Sequence, residues 1–220
     1  MNRRNFFTQS AVALVQSLAA ATREATGAQT VSAYGPGIHG FPNVALRTHE
    51  NKTVRFYDDL VKGKHIMINF MYASCSDSCP VQTANLALVQ KALSERVGRD
   101  IFMYSITLDP LHDTPEVLKE YAGRFDIGPG WLFLTGRPED TELIRRKVGF
   151  VDSDPIVDRD KTNHIGVVLY GNDRLDRWAA CPGLSRAIDI AEYVQWMDDP
   201  KPSSGPIGGV SRPAEALPFM

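Results

Sequence analysis

The chemistry of this chain concentrates in one short segment, Tyr72-Ala73-Ser74-Cys75-Ser76-Asp77-Ser78-Cys79-Pro80. Two cysteines four apart can converge on one soft metal ion or close a strained, reducible disulfide. The same spacing also suits a static disulfide clip or two buried free thiols, and spacing alone leaves these open. A thiol near a helix N-terminus meets the positive end of the helix dipole, which lowers its pKa and favours the thiolate. Thiolate is the form that attacks disulfides and binds metal. A third cysteine, Cys181 in Trp178-Ala179-Ala180-Cys181-Pro182-Gly183, reads as a small buried residue at a strand end. A resolving partner for the Cys75/Cys79 pair is its sharper alternative.

The flanking residues set up that placement. His65–Met71 is a nearly continuous apolar run, which fits a strand buried on both faces of a parallel sheet. From Pro80 to Val97 the pattern is helical, with Leu86, Val89, Leu93 and Val97 spaced three and four apart. The cysteine pair therefore sits where a strand hands over to a helix, the place at which α/β folds put their chemistry. A second buried strand is expected over 101–108. Thr114-Pro115 then opens a helix, with Thr114 as cap and Val117, Leu118, Tyr121, Ala122 and Phe125 as its apolar face.

A strand follows over 131–135. The next helix, 138–148, has its acids leading and Arg145, Arg146 and Lys147 closing it. Gly171-Asn172-Asp173 is the expected turn between strands at 165–170 and 175–180, and the last helix covers 184–197. Ahead of all this, 44–56 reads as a hairpin around Glu50-Asn51-Lys52. The order predicts an α/β, thioredoxin-like domain: a central mixed sheet flanked by helices, with an N-terminal β-hairpin extension.

Composition narrows the function further. Of 220 residues, 43% are hydrophobic and 23% charged, which excludes disorder for most of the chain. A net charge of −2 gives no electrostatic case for a nucleic-acid partner. Three cysteines are too few for a disulfide scaffold or an all-cysteine zinc site. Residues 1–28 carry Arg3-Arg4 before Phe6-Phe7, a weak apolar stretch and Ala19-Ala20-Ala21. This is a twin-arginine-like export signal that implies the export machinery as a partner and a periplasmic location. The domain proper is assigned to 35–198. Eleven of residues 199–220 are Pro, Gly or Ser, so that stretch reads as a flexible tail.

Several motifs taken together resemble the Sco/SenC family. They are Cys75-x-x-x-Cys79-Pro80 after an apolar strand, Asp109-Pro110-Leu111-His112-Asp113-Thr114-Pro115-Glu116, Leu134-Thr135-Gly136 and Asn163-His164. The resemblance covers roughly residues 35–198. It implies a thioredoxin-like protein that binds one copper, as Cu(I) or Cu(II), through Cys75, Cys79 and His164. It further implies a Cys75–Cys79 disulfide in the oxidised state. The implied role is a monomeric metallochaperone, not an enzyme, that meets a respiratory oxidase subunit or another copper or thiol protein. The donor set is chemically consistent, since thiolates select Cu(I) and imidazole suits copper in either state. Asn163 stands where members often have an aspartate before the histidine, and His112 where an arginine is usual.

A thiol–disulfide oxidoreductase using Cys75 and Cys79 is the alternative function. A purely structural disulfide domain leaves His164 without a role. Asp109, His112 and Asp113 could be ligands, but turn formation and helix capping explain the two acids better. The acid run Asp152, Asp154, Asp158, Asp160 lacks the glycine of a calcium loop and is read as a solvated loop. His39, His49 and His65 show no pairing with thiols or carboxylates. One outcome follows for the leader: replacing Arg3 and Arg4 together with lysine should leave precursor in the cytoplasm on cell fractionation. Undiminished export would remove the twin-arginine route.

Overall fold

The computed structural model describes residues 40–164 and 166–198. The segment 1–28 expected to be an export signal, His39 and the tail at 199–220 lie outside the described residues. Seven strands form one sheet: β1 (Ala45–Thr48), β2 (Thr53–Arg55), β3 (His65–Met71), β4 (Ile101–Thr107), β5 (Trp131–Gly136), β6 (Val167–Asn172) and β7 (Arg177–Pro182). Their spatial order is β2-β1-β5-β4-β3-β6-β7. The central strands β3, β4 and β5 run parallel, and antiparallel hairpins close both edges. The N-terminal hairpin expected as an extension is therefore part of the sheet. Leu46 faces Gly136 across the β1–β5 pairing.

The helices are α1 (Ser78–Leu93), α2 (Pro115–Ala122), α3 (Pro138–Lys147), α4 (Pro155–Arg159) and α5 (Ala187–Gln195). Among the described residues no helix is long and apolar enough to cross a membrane. Every residue of β3 is buried, and the two-residue period of a strand divides them between two cores. Met67 and Met71 join Cys75, Cys79, Leu86, Tyr121, Trp131 and Ile190 on one face. Ile66, Ile68 and Phe70 join Phe56, Tyr104, Leu134 and Ile144 on the other. The strand carrying the cysteine loop is thus fixed by apolar packing on both sides.

Local chemistry sets the helix starts. Thr114 caps α2 by accepting the Val117 N–H, and Pro115 sits in the first turn, where its missing N–H costs nothing. The helix buries Pro115, Leu118, Tyr121 and Ala122, whereas Val117, expected on the apolar face, is 37% exposed. α1 begins two residues ahead of the expected Pro80, which brings Cys79 into its first turn. It also ends early at Leu93, followed by a 3-10 turn over Ser94–Arg96.

Other differences have physical causes. Phe56–Val61 forms a π-helical turn that buries Phe56, Tyr57, Leu60 and Val61 against the second core. The acid run at 152–160 is not simply solvated. Asp158 is buried and accepts from both terminal nitrogens of Arg145, at 2.8 and 2.9 Å. The Arg145 bond, supported by the Asp152 N–H, holds the Asp158 carboxyl well below the usual carboxylate range.

The last hairpin turns later than expected. Gly171 and Asn172 belong to β6, and the reversal is a 3-10 turn over Asp173–Leu175 followed by Asp176 in the left-handed region (φ 48°). Gly171 serves close approach: a Cβ there would lie 2.3 Å from the Arg177 carbonyl and 2.3 Å from the Trp178 ring. Gly171→Ala should therefore destabilise the domain by about 1–3 kcal/mol, the usual cost of overpacking. Urea denaturation is the check, and an unchanged midpoint would contradict this packing.

Candidate metal and redox site

β3 ends at Met71, and the chain turns through Tyr72–Asp77 into α1. The Leu108 N–H donates to the Met71 carbonyl at 2.8 Å, so the β3–β4 ladder continues into the two functional loops. All three cysteines are free thiols. The Cys75 N–H donates to the Tyr72 carbonyl at 3.2 Å, closing a tight turn. The Cys79 N–H donates to Cys75 Sγ at 3.4 Å, and Ser78 Oγ lies 3.9 Å from the same sulfur. Cys75 is 8% exposed and Cys79 is fully enclosed.

The two thiols differ in acidity as well as exposure. Burial alone would push Cys75 up, but hydrogen bonds from the Cys79 thiol, the Cys79 and Asp77 N–H groups and Ser78 outweigh it. Its pKa falls to about 7. Burial pushes the Cys79 thiol up to about 12, and the bond it makes to Cys75 reinforces that. Burial likewise raises Tyr72, which hydrogen-bonds Cys75, to about 12, so it stays a neutral phenol. The first proton of the pair therefore leaves from Cys75, the sulfur nearer solvent. Cys181 is buried in the same apolar cluster, opposite Val168 in the β6–β7 pairing. Burial raises its thiol to about 11, as suits a packing residue.

A carboxylate that the sequence reading assigned to turn and cap duty holds the thiol loop in place. Asp113 does not cap α2; Thr114 does. Asp113 is 2% exposed, and its Oδ2 accepts the Ala73 N–H at 3.0 Å and the Thr107 hydroxyl at 2.5 Å. Thr107 Oγ1 in turn accepts the Asp109 N–H at 2.8 Å. Asp109 Oδ1 lies 3.0 Å from His112 Nδ1 and accepts from Lys161 Nζ at 2.8 Å. Lys161 opens a 3-10 turn, Lys161–His164, whose last residue is the predicted histidine ligand.

His164 thus stands in a turn three residues before β6, not at the immediate start of a strand. Among the described side chains, no third His, Cys, Asp or Glu completes a metal-binding group with the two sulfurs. His49 and His65 have structural uses. His49 Nδ1 accepts the Phe133 N–H at 3.1 Å. Against the expectation that it pairs with no carboxylate, His65 Nδ1 lies 3.4 Å from Asp198, which the chain's fold brings beside β3.

The family model described as SCO1/SenC matches residues 45–169, from β1 through the cysteine loop into β6. The chain belongs to the SCO1/SenC family. Protein SCO1, mitochondrial, of Saccharomyces cerevisiae is 34% identical over 100 residues, which is 46% of this chain and 33% of that one. This chain spans less than half the length of the curated SCO relatives it first matches. The solved structure of Bradyrhizobium japonicum ScoI with copper bound superposes with a TM-score of 0.55. It covers 74% of this chain and 98% of that one at 22% identity. The structure of BsSco, a member of the Sco family of cytochrome c oxidase assembly proteins in which a disulfide switch was identified, gives a TM-score of 0.56. Identity there is 22%, over 69% of this chain and 89% of that one. These likenesses establish the thioredoxin-like fold expected for a Sco/SenC member.

Alkylation should expose the asymmetry of the pair. The rate at Cys75 should rise with pH through a midpoint near 7, while Cys79 stays unreactive well beyond it, as mapped by mass spectrometry. Equal rates at both sulfurs would contradict the geometry. Asp113→Ala should strand the Ala73 N–H and the Thr107 hydroxyl without an acceptor. That should cost about 1–3 kcal/mol in a denaturation experiment.

Proposed function

We propose that this chain is an exported metallochaperone that takes up one copper ion through Cys75, Cys79 and His164 and passes it on during cytochrome c oxidase assembly. The observation that supports this most is the thiol loop itself: two reduced sulfurs, one already acidic, presented at the end of a rigid β3 in a SCO1/SenC frame. The donor chemistry fits the cargo, because soft thiolates prefer Cu(I) and tolerate low coordination numbers. The twin-arginine-like leader supports a periplasmic setting for that work.

The chain's own residues divide the task. Cys75, the less deeply buried and more acidic of the two, makes the first contact. Cys79 holds its proton until an incoming positive charge displaces it, since ligation requires the deprotonated form. Copper, when held, is soft-ion cargo, and its release returns the pair to the dithiol. His164 is the third donor on this reading. Joining the two sulfurs as a disulfide removes two electrons and two protons, and the metal and disulfide states then exclude each other.

A second reading draws on the same asymmetry. A less deeply buried thiol with a pKa of about 7 beside a fully enclosed partner is how a thiol–disulfide oxidoreductase separates its attacking and resolving sulfurs. The two readings part at His164. On the chaperone reading, dithiol protein binds one equivalent of Cu(I), oxidised protein binds none, and Cys75→Ala or Cys79→Ala abolishes tight binding. His164→Ala weakens binding while leaving the fold intact. Affinity should fall as pH drops below about 7, because Cys75 must then give up a proton to ligate. Competition against a chromophoric Cu(I) chelator reads each of these. Rapid turnover of an external disulfide with no measurable copper binding would replace the chaperone by the reductase.

A further inference from the structure

The two halves of the proposed copper site come from chain segments about 85 residues apart, yet one continuous run of contacts joins them. The Ala73 N–H donates to Asp113, which also accepts from Thr107. Thr107 accepts the Asp109 N–H, and the Asp109 carboxylate receives Lys161 Nζ. Ala73 lies two residues before Cys75, and Lys161 opens the turn that His164 closes. Three of the four links involve Asp113 or Thr107, which are buried, or the backbone beside them. The fourth, Asp109–Lys161, reaches toward solvent, with Lys161 46% and Asp109 15% exposed.

The trailing end of the histidine segment is tied independently. The Gly166 N–H donates at 3.3 Å to Oε1 of the buried Gln82, one turn beyond Cys79 on α1, and to the same segment the Gly183 N–H donates at the Gly166 carbonyl (2.6 Å). Asn163 Nδ2 also donates to the Val157 carbonyl at 3.0 Å. The segment therefore stays attached to the fold without Lys161. Its leading end is also bonded to the C-cap of α4, where the Asn163 N–H donates to the Asp160 carbonyl at 3.1 Å. The Asp109–Lys161 pair is the contact that ties this end to the loop between β4 and α2.

We propose that Asp109 and Lys161 are positioning residues that clasp the His164 turn against the thiol loop, so that a closed clasp presents three copper donors and an open one leaves two. This rests on the copper-binding reading above and adds a device to it. A two-sulfur site holds copper less tightly, so the clasp sets the step between retention and release. Because the pair is partly exposed, ionic screening or competition from a partner's charged side chain is enough to open it.

The test is Cu(I) affinity, measured by chelator competition at low ionic strength on the full chain. Lys161→Met and Asp109→Asn should each weaken binding by about three- to fivefold, the scale of a partly exposed ion pair. The double variant should lose no more than either single one, since both remove the same contact. Lys161→Arg should restore affinity. In a His164→Ala background, Lys161→Met should change nothing, because no third donor remains to be positioned. Raising the salt to about 0.5 M should bring wild type down toward the Lys161→Met value. Lys161 is exposed, so melting temperature and apo Cys75 alkylation should match wild type throughout.

Wild-type affinity in Lys161→Met would overturn the clasp, and so would an equal loss in the His164→Ala background. If wild type binds no Cu(I), the copper reading itself fails, a result distinct from either of these.

Discussion

The site hangs on one buried carboxylate. Asp113 sits 2% exposed in the loop between β4 and α2 and accepts from the loop that carries Cys75 and from Thr107 at the end of β4. Burial raises its pKa despite both donors. With its folded value above its unfolded one, Asp113 favours folding below the unfolded pKa, and this contribution is lost as pH rises through the folded value. At pH above the folded value the ionised group therefore costs the fold stability. What it secures is a loop conformation in which Cys75 accepts from the Cys79 thiol and from the Cys79 and Asp77 N–H groups, while at Cys79 burial outweighs the Tyr72 backbone bond. The unequal acidity of the two thiols follows from that. Functional sites commonly hold such groups at the expense of stability.

Much of this architecture was legible in the residues. The apolar run at 65–71, the cysteines at a strand-to-helix junction, the Thr114-Pro115 start and the acid-first helix at 138 each carry a local signal with a physical cause. Each of these elements lies within a residue or two of its expected place. The errors arise where a distant partner decides the outcome. Gly171 reads as a turn residue until Trp178 is placed beside it. Val117 lies on the expected apolar face of a short helix, but the sheet takes up only Leu118, Tyr121 and Ala122.

Arg145 looks like an ordinary basic residue closing a helix, and Asp158 like one acid among four. Together they form a buried pair thirteen residues apart. The site follows the same rule. Cys75 and Cys79 declare themselves by spacing, and Cys181 by its type. Asp113 and Lys161 do not, because their value lies in contacts 40 and 52 residues away along the chain. No periodicity or cap signal reports such contacts, which the pairing of β3 with β4 on one side and β6 on the other brings together.

The hairpin at 45–55 has a consequence beyond architecture. Trp131-Leu132-Phe133-Leu134-Thr135 in β5 is apolar, aromatic and free of charge, the composition that pairs readily with copies of itself when its edge is bare. β1 occupies that edge, and the sheet then ends in β2, three residues long and closed by Arg55, which offers little ladder to a further strand. At the opposite margin β7 finishes at Pro182, which lacks a donor. The margins of the sheet are thus poor templates for self-assembly into fibrils.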